Sequence, residues 1–427
     1  MTWFFFVLAR ALCCKGDAPP PPPPSLLSRD SLPAAATPSL STVRSHVFAQ
    51  TEGTRKERRD ALQSWIDQLP PGATAIVNPR IRAITTNETI YVRTARVALH
   101  GLRLKLEAGI NARVPLMRIM APGVQLFNTS LHGNLGTLSG WPRDQGGRAS
   151  LLEVKNDNFT IVGLTLRRAT RNGVTVGSKL QDVRYGLIAH VNATDIGRDA
   201  VSISGYSVMR VRDVLVEGVR LLRSLYKGAV EVSDGTDSIL VRDVTAEGAM
   251  YALDVFHDHG LGKPCTNTVV ERVVARACRH IVRTYQPRGG KFLRHSGLSL
   301  VNLRGEALTG PPLHIAEANR VCIDDVRVTR SPDQDACEQG AAPQHECRPV
   351  KFPWQSGPYG MLYLDPVPQL PASTHVRLGH ASLDRTALPS MWSINSTKKS
   401  YVSPLAEGAS CDVNLGTIRS RERWPFA

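Results

Sequence analysis

The chain has 427 residues, 42% of them apolar, and a formal net charge of +15. That is ample material for one large core, and no run approaches the roughly 18 apolar residues that a membrane-spanning helix needs. A bland solvated surface would carry both signs about equally, so the excess of basic residues favours a polyanionic partner. The positive charge is spread along the chain rather than gathered in an arm, so an acidic polysaccharide is expected and nucleic acid is not.

Taken in order, Met1 to Gly16 has a short apolar core from Trp3 to Leu8, interrupted at Arg10, and reads as a signal-like leader. The proline run Pro19 to Pro24 and the Ser/Ala/Pro stretch after it read as an extended linker, so residues 1–48 are set apart from the folded domain. Arg55 to Leu69 places Leu62, Trp65, Ile66 and Leu69 on one helical face, and Pro70-Pro71-Gly72 ends it. One amphipathic helix in front of a repeat array covers the open end of the core, where unpaired strand edges would otherwise invite aggregation.

The array shows as a repeat. A pattern of apolar-x-x-apolar-x-apolar, or a small residue in the last slot, recurs at Ile161, Ile188, Val211, Val241, Val270, Leu300 and Ile323, at intervals of 23 to 30 residues. A second alternating strand follows each of the first six copies: GVTV, AVSI, AVEV, ALDV, IVRT and PLHI. Short β-branched strands with no helix between them must pair with the coils above and below. The expected fold is therefore all-β, a parallel β-helix over residues 49–395. Residues 330–358 form an inserted loop, and 396–427 a tail or cap. A solenoid of this kind is expected to be a monomer.

The six cysteines after the leader show no metal-ligand spacing. Cys337 with Cys347, and Cys265 with Cys278, are the candidate local pairs, while free buried thiols are an equal alternative for Cys278 and Cys322. Five Asn-x-Ser/Thr sequons, at Asn87, Asn128, Asn158, Asn192 and Asn395, point with the leader to a secreted glycoprotein.

Aligning the second strands on their first inward residue stacks Thr175, Ser202, Glu231, Asp254, Arg283 and His314 in one outward column, with rungs about 4.8 Å apart. A neighbouring column holds Asn172, Asp199, Gly228, Tyr251, His280 and Pro311, and a third holds Gly177, Ser204, Ser233, Phe256, Tyr285 and Ala316. The polar density peaks at Tyr251, Asp254, His257, His280 and Arg283, which become the candidate catalytic residues. Glu231, Phe256, Tyr285 and His314 are the candidate substrate-binding residues, the two rings offering flat faces to a sugar. The chemistry that fits is proton removal beside a uronate carboxylate, with Arg283 neutralising the carboxylate and Tyr251 working with His257 or His280 as the acid–base pair. Asp213, Asp243 and Asp325 recur at equivalent turn positions and are read as structural. The Arg210, Arg212, Arg242 and Arg272 series is read as a solvated face. His257-Asp258-His259 is read as a turn cluster and no metal site is assigned; the cofactor stays unknown, with calcium a candidate.

The capping helix, the PPGATAIV turn into the first strand, and the coils from about Val97 to Val328 resemble the pectin-lyase-like right-handed parallel β-helix superfamily. The resemblance implies the fold over roughly two thirds of the chain and leaves the activity open, because this fold hosts lyases, hydrolases, epimerases, adhesins and tailspikes. Tyr251-Ala-Leu-Asp254-Val-Phe-His257-Asp258 resembles the Tyr-Gly-x-Asp-Pro-His motif of its mannuronan epimerase and alginate lyase branch. That resemblance implies Tyr251 and His257 as acid and base, with Asp254 assisting. Ala252 and Val255 replace Gly and Pro, one residue is inserted before His257, and His280 stands where the branch carries an Asp. Arg198-Asp199-Ala-Val-Ser-Ile resembles the catalytic segment of polygalacturonase-type hydrolases, with Arg198 in place of the first Asp and no Gly-His-Gly after it. Asp199 is accordingly read as a turn residue. A non-catalytic carbohydrate-binding or cell-surface β-helix is the remaining alternative.

Overall fold

The computed structural model describes residues 46–50, 52–108, 114–135, 149–205, 209–256, 263–285, 295–310, 312–316, 318–329, 362–365, 374–383, 394–396, 402–404 and 411. The leader and proline run, His257, the Cys337 and Cys347 pair, Pro311 and nearly all of the expected 330–358 insertion and its surroundings lie outside these residues.

Alternation of apolar and polar residues builds two parallel sheets, of 17 and 11 strands among the described residues. In the smaller sheet the spatial order of the strands is their order in the chain, from Ile90–Val92 to Ile394–Ser396, which is the signature of a solenoid. We call it the short wall. The inward residues of its central rungs, Val174, Val201, Val230, Leu253, Val282 and Leu313, are completely buried and stack in one continuous core. Each such side chain stabilises the fold by roughly 1.5–3 kcal/mol relative to an exposed one. The fold is the expected parallel β-helix with a short helix before it.

The strands of the larger sheet bend, so that one strand serves two faces. The bend stacks Gly163, His190, Gly218, Asp243, Arg272, Asn302 and Asp325, all with φ between 48° and 74°. Glycine, Asn and Asp accept this left-handed backbone most readily. A second left-handed corner, upstream on each coil, stacks Tyr185, Asp213, Ser238, Asn267, Gly297 and Arg320. This corrects one copy of the repeat. The partner of Val241 is Val216, not Val211, so the true copy is Val216-Glu-Gly-Val-Arg-Leu. Asp213 is a turn residue, as expected, but it belongs to a different corner from Asp243 and Asp325. Both corners ask for the same backbone, so the local pattern matches in two frames five residues apart.

The helix Arg55–Asp67 starts with a capping box: Glu57 N–H donates to Thr54 Oγ1, and Thr54 N–H donates to the Glu57 carboxylate. Its buried face carries Leu62 and Ile66, and Trp65 packs on Phe48 with ring centroids 5.3 Å apart. It also closes a strand edge. Gln63 Nε2 donates to Tyr91 O at 3.0 Å, and Tyr91 N–H donates to Gln63 Oε1 at 2.8 Å. Tyr91 lies in the first short-wall strand, which has no preceding rung to pair with, so a side-chain amide satisfies the backbone groups there.

The solenoid includes strands at both ends of the described region. His46–Phe48 pairs with Thr74–Val77, and Val402–Pro404 pairs with Thr374–Leu378. Cys322 is linked to Cys411 across 89 residues of sequence, while Cys265 and Cys278 are buried free thiols. The candidate pair Cys265–Cys278 is thus overturned, because the 11-residue strand Thr266–Arg276 lies between the two. The free-thiol alternative holds for Cys278 and fails for Cys322.

Candidate functional site

The short wall carries the expected register. Ser202 pairs with Glu231, Glu231 with Asp254, Asp254 with Arg283 and Arg283 with His314, all in parallel strands of one wall. Gly228, Tyr251 and His280 stack in the neighbouring column, and Ser233, Phe256 and Tyr285 in the third. The side chains of Phe256 and Tyr285 lie outside the described residues, as does His257.

The column does not face open solvent as expected. Asp254 is fully buried and Glu231 is 4% exposed. The reason is charge pairing between rungs, since a buried carboxylate persists only beside a cation. Arg283 grips Asp254 with two hydrogen bonds, Nε to Oδ1 at 3.2 Å and Nη2 to Oδ2, and its guanidinium lies 4.7 Å over the Tyr251 ring. Its charge is therefore engaged within the wall rather than presented to a substrate carboxylate. His280 is 2% exposed, with its ring 5.4 Å from that of His314.

The residue that sequence reasoning set aside is Asp199. It is completely buried, and its Oδ1 accepts from the Tyr251 hydroxyl at 2.9 Å and from Gly228 N–H at 3.3 Å. Its Oδ2 lies 3.7 Å from Lys227 Nζ. Glu231 sits on the next rung, paired with Lys227 Nζ and 3.7 Å from Arg198 Nη2. Burial, and then the Glu231 charge, push the Asp199 carboxyl well above the usual carboxylate range, with Lys227 opposing. Burial acts on Glu231 in the same upward direction, but Lys227, the Asp199 hydrogen bond and Arg198 outweigh it and hold Glu231 below its ordinary value. The two carboxyls on adjacent rungs are thus pushed in opposite directions. Burial, then the Asp199 and Asp254 charges, raise Tyr251 well above its ordinary value, so its phenol stays protonated and serves as a donor.

Gly228 makes this arrangement sterically feasible. A Cβ there would lie 2.4 Å from Tyr251 Cδ2 and 2.0 Å from Tyr251 O, so only glycine lets the ring cross its rung toward Asp199. One signal for Asp199 was legible: it precedes the inward Val201 by the same two residues that separate Tyr251 from Leu253. The basic series upstream is structural. Arg212 Nη2 pairs with Asp182 at 2.9 Å, Arg242 holds Glu217 through Nε at 2.9 Å and Nη2 at 2.6 Å, and Arg272 holds Asp243 at 2.7 and 2.9 Å. Among the described residues no group of three or more His, Cys, Asp or Glu is arranged to hold a metal ion.

No protein-family model matches the sequence, and no curated protein is similar to it. Solved structures do match in shape. The Dettilon tailspike protein aligns at a TM-score of 0.50 with 10% identity, over 76% of this chain and 58% of that one. The exopolygalacturonase of Thermotoga maritima aligns at 0.44 with 13% identity, over 64% and 83%. The Azotobacter vinelandii mannuronan C-5 epimerase A-module aligns at 0.41 with 11% identity, over 81% and 94%. This chain spans little more than half of the tailspike, and identities this low speak to architecture alone. The fold of this chain is a parallel β-helix.

Proposed function

We propose that this chain is a secreted, carbohydrate-active β-helix protein that acts on an acidic, uronate-containing polysaccharide at the outer face of the short wall. The observation that carries this reading is the buried pair Asp199 and Glu231 on adjacent rungs, sharing Lys227 and pushed in opposite directions by their surroundings. Two carboxyls pushed apart in this way supply a proton donor and a base at one place. Lys227 and Arg198 beside them balance the Glu231 charge. The Cys322–Cys411 disulfide supports an oxidising, extracellular setting.

Three reactions compete at this site. Elimination or epimerisation through Tyr251, His257 or His280 and Arg283 asks Tyr251 to give up its proton and Arg283 to engage the substrate. Tyr251 is buried and held protonated, and Arg283 is held by Asp254. Hydrolysis asks for an acid and a carboxylate on neighbouring rungs, as in the polygalacturonase-type arrangement. Asp199 and Glu231 are two carboxyls on neighbouring rungs, as that reading asks, and both are buried, as Tyr251 is. Binding without turnover is the third reading, favoured by the internal neutralisation of Asp254 and Glu231.

Purified protein incubated with polygalacturonate, alginate and other uronate polymers distinguishes the three. Hydrolysis releases reducing ends without unsaturated sugars, and Asp199→Asn or Glu231→Gln lowers the rate by about 100-fold or more. Unsaturated ends, or proton exchange at the uronate ring, would transfer the chemistry to the elimination or epimerisation set. Retained binding with no product on any polymer would leave the binder.

A further inference from the structure

We infer that a second surface of this chain, on the larger sheet and away from the short-wall carboxyls, binds an anionic polysaccharide. Beyond the left-handed corner of each coil the strands form an outer face with two adjacent columns. One runs Lys105, His132, Arg167, Thr194, Leu222, and the other Arg103, Ser130, Thr165, Asn192, Arg220. Arg103, Lys105, Arg167 and Arg220 are exposed, and His132 is half-buried between Lys105 and Arg167. Among the described residues no carboxylate pairs with any of these four exposed cations.

The same columns look different on later coils. There they continue through Glu247, Arg276 and Glu306 on one side and Arg304 and Arg327 on the other. Arg276 pairs with Glu306 at 2.7 Å, and Asp325 takes both Arg327 at 3.0 Å and Arg304 at 3.4 Å. The late coils therefore neutralise their charge internally, while the early coils leave theirs open. A structural role for the cations would call for the late-coil pattern throughout. His132 reports the uncompensated field: after burial, the charges of Lys105, Arg168 and Arg167 hold its pKa below the ordinary value.

The chemistry of the face selects the partner. The exposed cations fall on every second rung, the first, third and fifth of five spaced about 4.8 Å apart, and Ser130, Thr165, Asn192 and Thr194 stand among them as hydroxyl and amide groups that hydrogen-bond to sugars. Among the described residues these two columns hold no Phe, Tyr or Trp on which bases could stack, so a single-stranded nucleic acid is the poorer fit. An extended polysaccharide bearing carboxylates or sulfates, lying along the coils, meets cations and hydroxyls in turn.

The test uses the full chain made without N-linked glycans, because Asn192 heads a sequon inside these columns. Binding to polygalacturonate and to dextran sulfate is measured at physiological salt for the wild type, K105E/R167E and a control pair, K56E/R96E. The control changes net charge equally at exposed sites outside the two columns. The expected result is an affinity at least ten-fold weaker for K105E/R167E and within two-fold of wild type for the control. The neutral pair K105Q/R167Q is expected to show the same loss in smaller degree, and serves if the reversal fails to fold. Equal losses in both pairs, or tighter binding of an oligothymidylate than of either polysaccharide, would overturn the inference. Unchanged binding in K105E/R167E would return all recognition to the short wall, whereas intact binding without turnover in the wild type would sink the hydrolytic reading alone.

Discussion

Tyr251 crosses the rung of Gly228 to set its hydroxyl 2.9 Å from Asp199 Oδ1, tying together three successive coils of the short wall. The phenol donates to one carboxyl oxygen, while burial pushes the Asp199 carboxyl above its ordinary value. The contact is thus a clasp between coils.

Tyr251→Phe removes a buried donor while keeping the ring. The expected loss is about 1–3 kcal/mol, since the Asp199 oxygen then lacks that partner. Gly228→Ala is expected to be worse, because its Cβ would collide with the ring and backbone of Tyr251. Urea unfolding at neutral pH measures both, and a Gly228→Ala variant as stable as wild type would show that the ring does not cross there.

Stability should depend on pH through Asp199 with a definite sign. Its folded pKa is raised, so its contribution is full below the unfolded value of 3.8 and is lost as pH rises through the folded one. Glu231 acts oppositely: its folded pKa is lowered, so its contribution is present above 4.5 and is lost as pH falls. Asp199→Asn mimics the protonated acid, and is expected to match or exceed wild-type stability at pH 8 while abolishing turnover. Unfolding profiles of the two proteins from pH 5 to 8 should converge toward low pH; parallel profiles would mean that Asp199 is ionised in the native state.

Asp254 and Arg283 are expected to behave as one unit. Asp254→Ala leaves a nearly buried guanidinium without its carboxylate, and should cost about 3–5 kcal/mol. Asp254→Ala/Arg283→Met should recover much of that loss. A double-mutant cycle by chemical denaturation gives the coupling, and near-additivity would mean the two groups act independently. Activity per folded molecule separates the roles further: it should survive in the double variant if hydrolysis runs through Asp199 and Glu231, and vanish if Asp254 and Arg283 do the chemistry.

The capping helix makes its own prediction. Gln63→Ala uncovers the Tyr91 N–H and C=O at the first strand edge, at a cost of about 1–3 kcal/mol. Light scattering after mild heating should show that this variant self-associates before wild type does, as an open parallel edge would. Identical scattering curves would assign the protection to the helix backbone alone.

Reduction should act through one bond among the described cysteines. Cys322 and Cys411 hold the ends of an 89-residue separation, and Cys411→Ser is expected to cost about 2–4 kcal/mol. Cys265 and Cys278 are buried thiols, held by burial to about 12 and about 11, and should resist alkylation until the chain unfolds. Peptide mapping without reductant reads the linkage directly.

Much of the fold was legible in the chain itself, for a local reason. Alternation in GAVEV, ALDV and IVRT sorts each short strand into an inner and an outer face, and a parallel stack with equal inner residues admits one register for that wall. Left-handed corners favour Gly, Asn and Asp, and two such corners per coil are why Val211 and Val216 could not be told apart by pattern. Ion pairing and burial were decided only in three dimensions. Whether Arg283 meets a substrate or Asp254 depends on side chains from coils 29 residues apart, and the meaning of Asp199 depends on a tyrosine 52 positions later reaching over a glycine. Cys411 found Cys322 across a distance that no spacing rule spans. Periodicity is a property of neighbours along the chain; charge state belongs to neighbours in space, and the solenoid makes those neighbours from residues a full coil or more apart.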